Sequence, residues 1–418
     1  MPNSIFGLSC LHTFVCLQIT KMATVHPFKA IRPKRDMVHL VASRSYVTYN
    51  KRQLDAKLFT NPYTFVHVIN PEWGQQVRSK PNSPERFAKI REKFDEFISM
   101  RIFMKDEQSC FYLYRQQTTT NTFTGIIGCA SAEDYFNGTI KKHEQTLARR
   151  EEIFKKYLKI CRINAEPVLL SYPDDNSIEN ITDDYLKERP EYDFTTTDRV
   201  RHQLWVVKNA KDIQKIQSAF AGISSFYIAD GHHRCASSAL LGKELKGNES
   251  SYILCLFMPE NQLKIWEHNR LVKDLNGLNA IEFVKKLEKI FNVEERNNAF
   301  KPASPGALSM YLSGKWFELK VTQKEKTSDS ELLTEKILQP LLGIKDLRAD
   351  KRIAFIGGNE GAEGIQNKVD SGKYKVGFGL FPIALTQLKN VADSGQTLPP
   401  KSTWVEPKLR SALTIYEF

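Results

Sequence analysis

Apolar residues recur along the chain at two spacings, one suited to strands and one to helices. From Met22 to about Asn70, short runs rich in β-branched and aromatic residues alternate with turn residues: Val38–Ala42, Tyr46–Tyr49 and Phe65–Ile69. These runs predict strands. Asn82-Ser83-Pro84 then opens a helix whose apolar residues Phe87, Ile90, Phe94, Phe97 and Ile98 recur at helical spacing. Phe111–Tyr114 and Thr122–Gly128 read as antiparallel strands joined by QQTTTN. Residues 139–160 predict a charged helix, 166–171 and 202–207 strands, and about 210–220 another helix. Ser225–Ala229 is a buried strand, followed by Asp230-Gly231 and a helix carrying Ala236, Ala239 and Leu240. Residues 251–258 form a further strand.

Near residue 275 the sequence turns Lys/Glu-rich. Beyond it lie predicted strands at 309–312, 315–321, 352–357 and 374–381, and a helix at 329–341. The expected fold class is α/β, with mixed sheets and interleaved helices. The expected organisation is a leader at 1–21, a main α/β domain at 22–274, and a C-terminal α/β portion at 275–418 that lends its PPKST segment to the same cleft.

The chain has 418 residues, of which 41% are hydrophobic and 11% aromatic, enough for a sizeable core and against a disordered chain. No run of about 20 apolar residues predicts a membrane span. The formal charge of +12 suits an anionic ligand or a solvated basic surface, and its scatter favours the second. Seven widely spaced cysteines without a CxxC pair exclude a standard zinc ribbon and fit a reducing cytoplasm. Residues 5–20 are mostly apolar but lack a basic n-region and a small-residue cleavage site. A start assigned too early, with Met22 the true one, explains them better than a signal peptide.

The strongest local signal is Asp230-Gly231-His232-His233-Arg234, at a strand-to-helix junction. Glycine permits the tight turn, and the amides opening the helix favour an anion. Arg234 adds a guanidinium, the two histidines add donors or a base, and Asp230 can cap the helix. A capped helix with two surface histidines is the plainer alternative. A second signal is Lys142-His143-Glu144-Gln145-Thr146. Leu147 breaks the HExxH spacing of a zinc protease, and on a helix Thr146 would share a face with His143. Asp198–His202 and His268-Asn269-Arg270 again set histidine beside arginine. Pro399-Pro400-Lys401-Ser402-Thr403-Trp404 offers a stiff Lys-Ser-Thr run that suits phosphate, or simply a rigid strand entry. No GxxxxGK[ST], no GxGxxG after a strand and no GxSxG is present.

Over nearly its whole length the chain resembles the domain-of-unknown-function 1015 proteins. The matching segments are HPFKAIRP (26–33), NPYTFVHVINPE (61–72), KKHEQT (141–146), HQLW (202–205), FYIADGHHR (226–234), HNRLV (268–272) and PPKSTWVEPKLRSAL (399–413). Its DGHHR turn is similar to the phosphate-gripping turn of the ParB/sulfiredoxin superfamily. Members of that superfamily hold the phosphates of ATP, ADP or CTP, and some are kinases for free serine. The resemblance therefore implies a ParB/sulfiredoxin-like core, nucleotide binding and a link to serine or phosphoserine. The carry-over covers Gly231, His232, His233 and Arg234. No helix-turn-helix segment is seen, so a DNA role is not carried over.

These readings converge on a cytoplasmic, nucleotide-dependent phosphoryl-transfer enzyme, a kinase or a phosphatase, acting on a small hydroxyl-bearing metabolite. Glu144, His143, His232 and Asp230 are the catalytic candidates. Gly231, His233, Arg234, Arg270, Lys401 and Ser402 would hold ATP or ADP with Mg²⁺. A small phosphorylated metabolite or nucleotide is the expected partner; a membrane is not expected and nucleic acid is disfavoured. Two alternatives stay open. One is a nucleotide-sensing or nucleic-acid-linked module without turnover. The other is a metal-dependent hydrolase or phosphatase with His143, Glu144, His202 and His232 as ligands. In either enzyme the segments near residues 143, 202, 232, 268 and 401 should meet in one cleft.

Overall fold

The structure is a computed structural model and describes residues 23–247, 249–321, 328–347, 349–399 and 401–418. The expected leader, the start at Met22 and Pro400 lie outside the described residues.

Two sheets organise the chain. The elements used below are, in chain order, α1 (Pro84–Ser99), β1 (Phe111–Gln117), β2 (Thr122–Ser131), α2 (Ala148–Cys161), β3 (Val168–Tyr172), β4 (Arg201–Val207), β5 (Phe226–Asp230), α3 (His232–Leu245), β6 (Tyr252–Pro259), β7 (Lys264–Val272), β8 (Ile353–Gly357), β9 (Val376–Gly379) and β10 (Thr403–Glu406). The first sheet runs Tyr192–Thr195, β4, β1, β2, β6, β3, β5 and Ile140–Lys141, with Val25–His26 paired to β2. It is mixed: β6 pairs antiparallel with β2 and parallel with β3.

Strand periodicity explains why this sheet is covered on both faces. Ile253, Cys255 and Phe257 of β6 enter one hydrophobic core, and Leu254, Leu256 and Met258 enter another. Successive side chains of a strand point to opposite faces, so a run apolar at every position can only be a central strand.

A turn of 3-10 helix, Glu260–Gln262, carries the chain from β6 into β7 and the second sheet. There β7 lies between β8 and β9, antiparallel to both, with Ala307–Leu312, Lys315–Val321 and Phe291–Arg296 beyond β9. Strand β7 precedes residue 275, yet Val272 packs in the core of this second sheet. The C-terminal tail then returns. Its β10 pairs with β7, Arg410–Ser411 pairs with Ser43–Arg44, and Tyr416–Glu417 pairs with Ile163–Asn164.

The structure bears out the mixed α/β class. Helix α1 forms as its periodicity requires, with Ser83 capping Arg86 N–H and Phe87, Ile90, Phe94 and Phe97 buried. Three expected strands are instead helical: Val38–Val41 and Val66–Ile69 are single α-turns, and Tyr46–Thr48 is a 3-10 turn. In runs of four or five apolar residues the two periodicities coincide, and packing decides between them. The expected charged helix at 139–160 also divides. Ile140–Lys141 pairs with β5, residues 142–147 form a loop, and α2 starts at Ala148. His143 and Thr146 therefore share no helix face. The expected helix at 329–341 is an α-turn over Asp329–Leu333 that continues as a π-turn over Thr334–Leu338.

Candidate functional site

Strand β5 ends at Asp230, and Gly231 turns the chain into α3 with φ of 97°. That left-handed angle favours glycine. A Cβ there would also lie 2.8 Å from Arg234 Nη2. No side chain caps the 14-residue helix. Asp230, the expected cap, accepts instead from Arg234 Nη2 and Lys408 Nζ, both at 3.2 Å. The positive end of the α3 dipole is thus left to whatever adjoins it.

What adjoins it is a cavity of about 590 Å³, within the roughly 300–1,000 Å³ typical of small-molecule sites. Helix α2 runs beside α3 in the same direction. Leu147 N–H donates to His233 Nε2 (3.1 Å), the Ser237 hydroxyl donates to Glu151 C=O (3.1 Å), and Lys159 pairs with Glu244 (2.7 Å). Two helix N-termini therefore face the same end of the molecule. The loop carrying His143 and Glu144 is held by the tail: Leu398 N–H donates to His143 C=O at 2.8 Å, and Glu144 bridges Leu398. Lys401, Lys408 and Arg150 also line the cavity, bringing positive charge to it.

Two imidazoles sit at its edge. His143 is 2% exposed and His232 7% exposed, with ring centroids 4.5 Å apart and planes at 88°. Both His143 ring nitrogens and His232 Nε2 are buried without a hydrogen-bond partner. Burial pushes the His143 pKa down to about 4 and holds that of His232 well below the ordinary value, with His143 itself adding a smaller push. Both rings are neutral at pH 7 and can offer hydrogen bonds without charge. His268 also lines the cavity. Its Nδ1 donates to Thr403 C=O at 3.2 Å, which leaves Nε2 as the acceptor. Burial, with Arg270 nearby, brings its pKa to about 3.

Beneath the turn, Arg234 is engaged from two sides, by Asp230 and by Glu166, whose second oxygen accepts from Ser411 Oγ at 3.0 Å. The guanidinium thus locks β5, the segment before β3 and the tail around the α3 N-terminus.

His143, Glu144, Asp230, Gly231, His232, His233, Arg234, His268 and Lys401 all line the one cavity. Three expected residues do not. His202 is fully buried between Tyr114 (Nδ1 to Oη, 2.8 Å) and Thr196 (Nε2 to Oγ1, 3.2 Å), with its ring parallel to that of Tyr114. It is a core histidine, so the four-residue metal set is not assembled. Among the described residues no group of three or more His, Cys, Asp or Glu is placed to hold a metal ion. Arg270 has no exposure. It donates to Ser330 Oγ at 2.8 Å and lies over the Phe355 ring. Ser402 bonds Pro399 C=O (2.7 Å) and lines a separate hollow with Ser330 and Asp329.

Sequence reasoning missed Glu166, Arg150 and the apolar side of the cavity. The last had a signal: Arg150, Ile153, Phe154, Tyr157 and Leu158 fall on one stripe of α2. Glu166 had none, since its partner Arg234 is 68 residues away.

The fold and the cavity define an α/β protein with a cleft at an uncapped helix N-terminus. Residues 25–341 match the family described as "Protein of unknown function (DUF1015)", and the chain belongs to that family. No curated protein matches the sequence. Among solved structures, the chain is similar to a free serine kinase in complex with AMP (16% identity, TM-score 0.37, covering 68% of this chain and 91% of that one). It is also similar to a C-terminally truncated SbnI from Staphylococcus aureus (12%, 0.38, 67% and 82%). A third likeness is a conserved hypothetical protein from Pyrococcus furiosus (15%, 0.36, 68% and 93%). No helix among the described residues is long and apolar enough to cross a membrane.

Proposed function

We propose that the cleft binds the phosphates of a nucleotide at the α3 N-terminus and transfers a phosphoryl group to the hydroxyl of a small metabolite. The observation that carries this reading is the uncapped start of α3, opened by Gly231 and shared with Lys401, Lys408 and Glu144 in one cavity. Helix-start amides and lysines favour a polyanion, and phosphoryl transfer needs chiefly positioning and charge stabilisation.

In this reading the amides of His232 and His233 cradle phosphate oxygens. Lys401 and Lys408 offset the charge that builds up as the bond to the leaving group breaks. Glu144 takes the proton of the acceptor hydroxyl as its oxygen bonds to phosphorus. The uncharged His143 and His232 rings donate to oxygens from the buried side. Arg234 acts from beneath as a positioning residue, because Glu166 and Asp230 occupy its guanidinium. Mg²⁺ entering with the nucleotide would neutralise the phosphate oxygens, and the carboxylates lining the cavity are Glu144, Glu166 and Asp230. Serine or phosphoserine is the first acceptor or donor to try, in a cytoplasmic setting.

The test is calorimetry with ATP, ADP, CTP and phosphoserine, each with Mg²⁺, followed by a phosphate-transfer assay with serine as acceptor. Binding of at least one nucleotide, with transfer abolished in Glu144→Gln while binding persists, supports the reading. If none of the four ligands binds, the reading is wrong.

A further inference from the structure

The cavity has a second side that a phosphate does not need. Helix α1 lends Phe87 and Ile90 to it, and α2 lends Ile153, Phe154, Tyr157 and Leu158. Phe87 and Tyr157 meet edge to face, with ring centroids 5.6 Å apart. Tyr46 and Phe154 also line the cavity while remaining 45% and 40% exposed. They are large apolar groups held at the surface, where the cavity meets solvent. Apolar side chains left wet in this way, continuous with a buried apolar wall, mark a place where a ligand removes surface from water.

Two kinds of group could lie there. A nucleobase would set most of its ring nitrogens and exocyclic groups against Ile69, Ile90, Ile153 and Leu158, with the Tyr157 hydroxyl the one polar group among the side chains named for this wall. Burying polar atoms unpaired is costly. Asn164 and Ser238, which also line the cavity, bond each other at 3.4 Å. A hydrocarbon chain has no polar edge to satisfy, and a wall of mixed aliphatic and aromatic residues accommodates it.

We infer that one ligand of this cleft is an amphiphile: an anionic or phosphorylated head at the α3 N-terminus, and an apolar chain along the α1–α2 wall. The inference rests on the proposed anion docking and adds the class of the group attached to it. It also bears on the acceptor, since free serine would leave this wall wet.

The experiment is calorimetry of the full chain with inorganic phosphate, with ethyl, butyl and octyl phosphate, and with ADP, AMP and ribose 5-phosphate. Each buried methylene contributes about 0.8 kcal/mol, roughly fourfold in Kd. Octyl phosphate is expected to bind at least tenfold more tightly than ethyl phosphate. Phe154→Ala and Tyr46→Ala, at partly exposed positions where folding is not at stake, should each flatten that gradient. A flat alkyl series while phosphate or ADP binds overturns this inference and leaves the docking reading standing. So does AMP gaining over ribose 5-phosphate with the alkyl series flat, because the wall then holds the base. A gradient untouched by both variants shows binding elsewhere and also overturns it. If none of these ligands binds, this inference fails, and the docking reading fails with it only if ATP, CTP and phosphoserine do not bind either.

Discussion

His143 and His232 meet edge to face with ring centroids 4.5 Å apart, and three of their four ring nitrogens are buried without a partner. One ring comes from a loop before α2 and the other from the first residue of α3. The contact therefore joins the two N-termini that face the cavity. It is a polar arrangement with unmet hydrogen bonds, which the core would not select for stability alone.

This pair gives the first prediction, a pH dependence. The His143 pKa falls to about 4 in the folded chain against 6.5 unfolded, so between those values the unfolded chain binds more protons. Stability is then full above pH 6.5 and declines as pH falls toward 4, by about 2 kcal/mol at pH 5 for this residue. Urea unfolding at pH 7.5 and pH 5 should show the loss, and His143→Gln should lessen it. An equal loss in that variant would remove His143 as the cause.

Gly231→Ala should destabilise the chain and weaken nucleotide binding together. The residue sits at φ of 97°, and its new methyl would lie 2.8 Å from Arg234 Nη2. Backbone strain of this kind costs about 1–3 kcal/mol. Thermal unfolding and calorimetry of the one variant check both effects. An unchanged melting temperature would show that the turn tolerates a side chain.

Arg234 and Glu166 should behave as a coupled pair. Each is about one-fifth exposed, at 21% and 19%. Removing Arg234 leaves Glu166 without a cation, removing Glu166 leaves Arg234 with Asp230 alone, and removing both leaves Asp230 paired with Lys408. In a double-mutant cycle with Arg234→Met and Glu166→Gln, unfolding should give a coupling energy of roughly 1–3 kcal/mol. Additive effects would mean that the pair does not hold the turn.

Arg270 offers a contrast. It is fully buried, has no carboxylate partner among the described residues, and lies over the Phe355 ring 5.0 Å from its centroid. Burial lowers its pKa to about 9. A buried charge without a counter-ion is often replaced by an apolar side chain at no cost. Arg270→Met should be at least as stable as the parent and should bind nucleotide within about twofold, since the arginine does not line the cavity. Loss of binding in a folded variant would return Arg270 to the site.

Much of the site was legible in the sequence because its chemistry is concentrated in short segments. DGHHR, the His143-Glu144 pair and Lys401 each carry polar residues beside a strand or a proline-stiffened turn, and all of them line the cavity. His202 and Arg270 showed the same pairing of histidine with arginine but face inward from β4 and β7. Strand alternation alone could not say which face of those two-sided sheets holds the cleft. The helical turns at Val38–Val41 and Val66–Ile69 were illegible for a related reason, since four residues are too few to separate the two periods. Glu166 and the apolar wall depend on contacts far apart in the chain, and local patterns do not encode those.

The central claim is that an anionic ligand docks on the amides that open α3. Selective ¹⁵N labelling of histidine makes His232 and His233 visible among nine histidine amides. On titration with ADP and Mg²⁺ the account predicts saturable shifts at these two amides, with His202 in its core site unmoved. Saturable ADP binding with the His232 and His233 amides unshifted would contradict it.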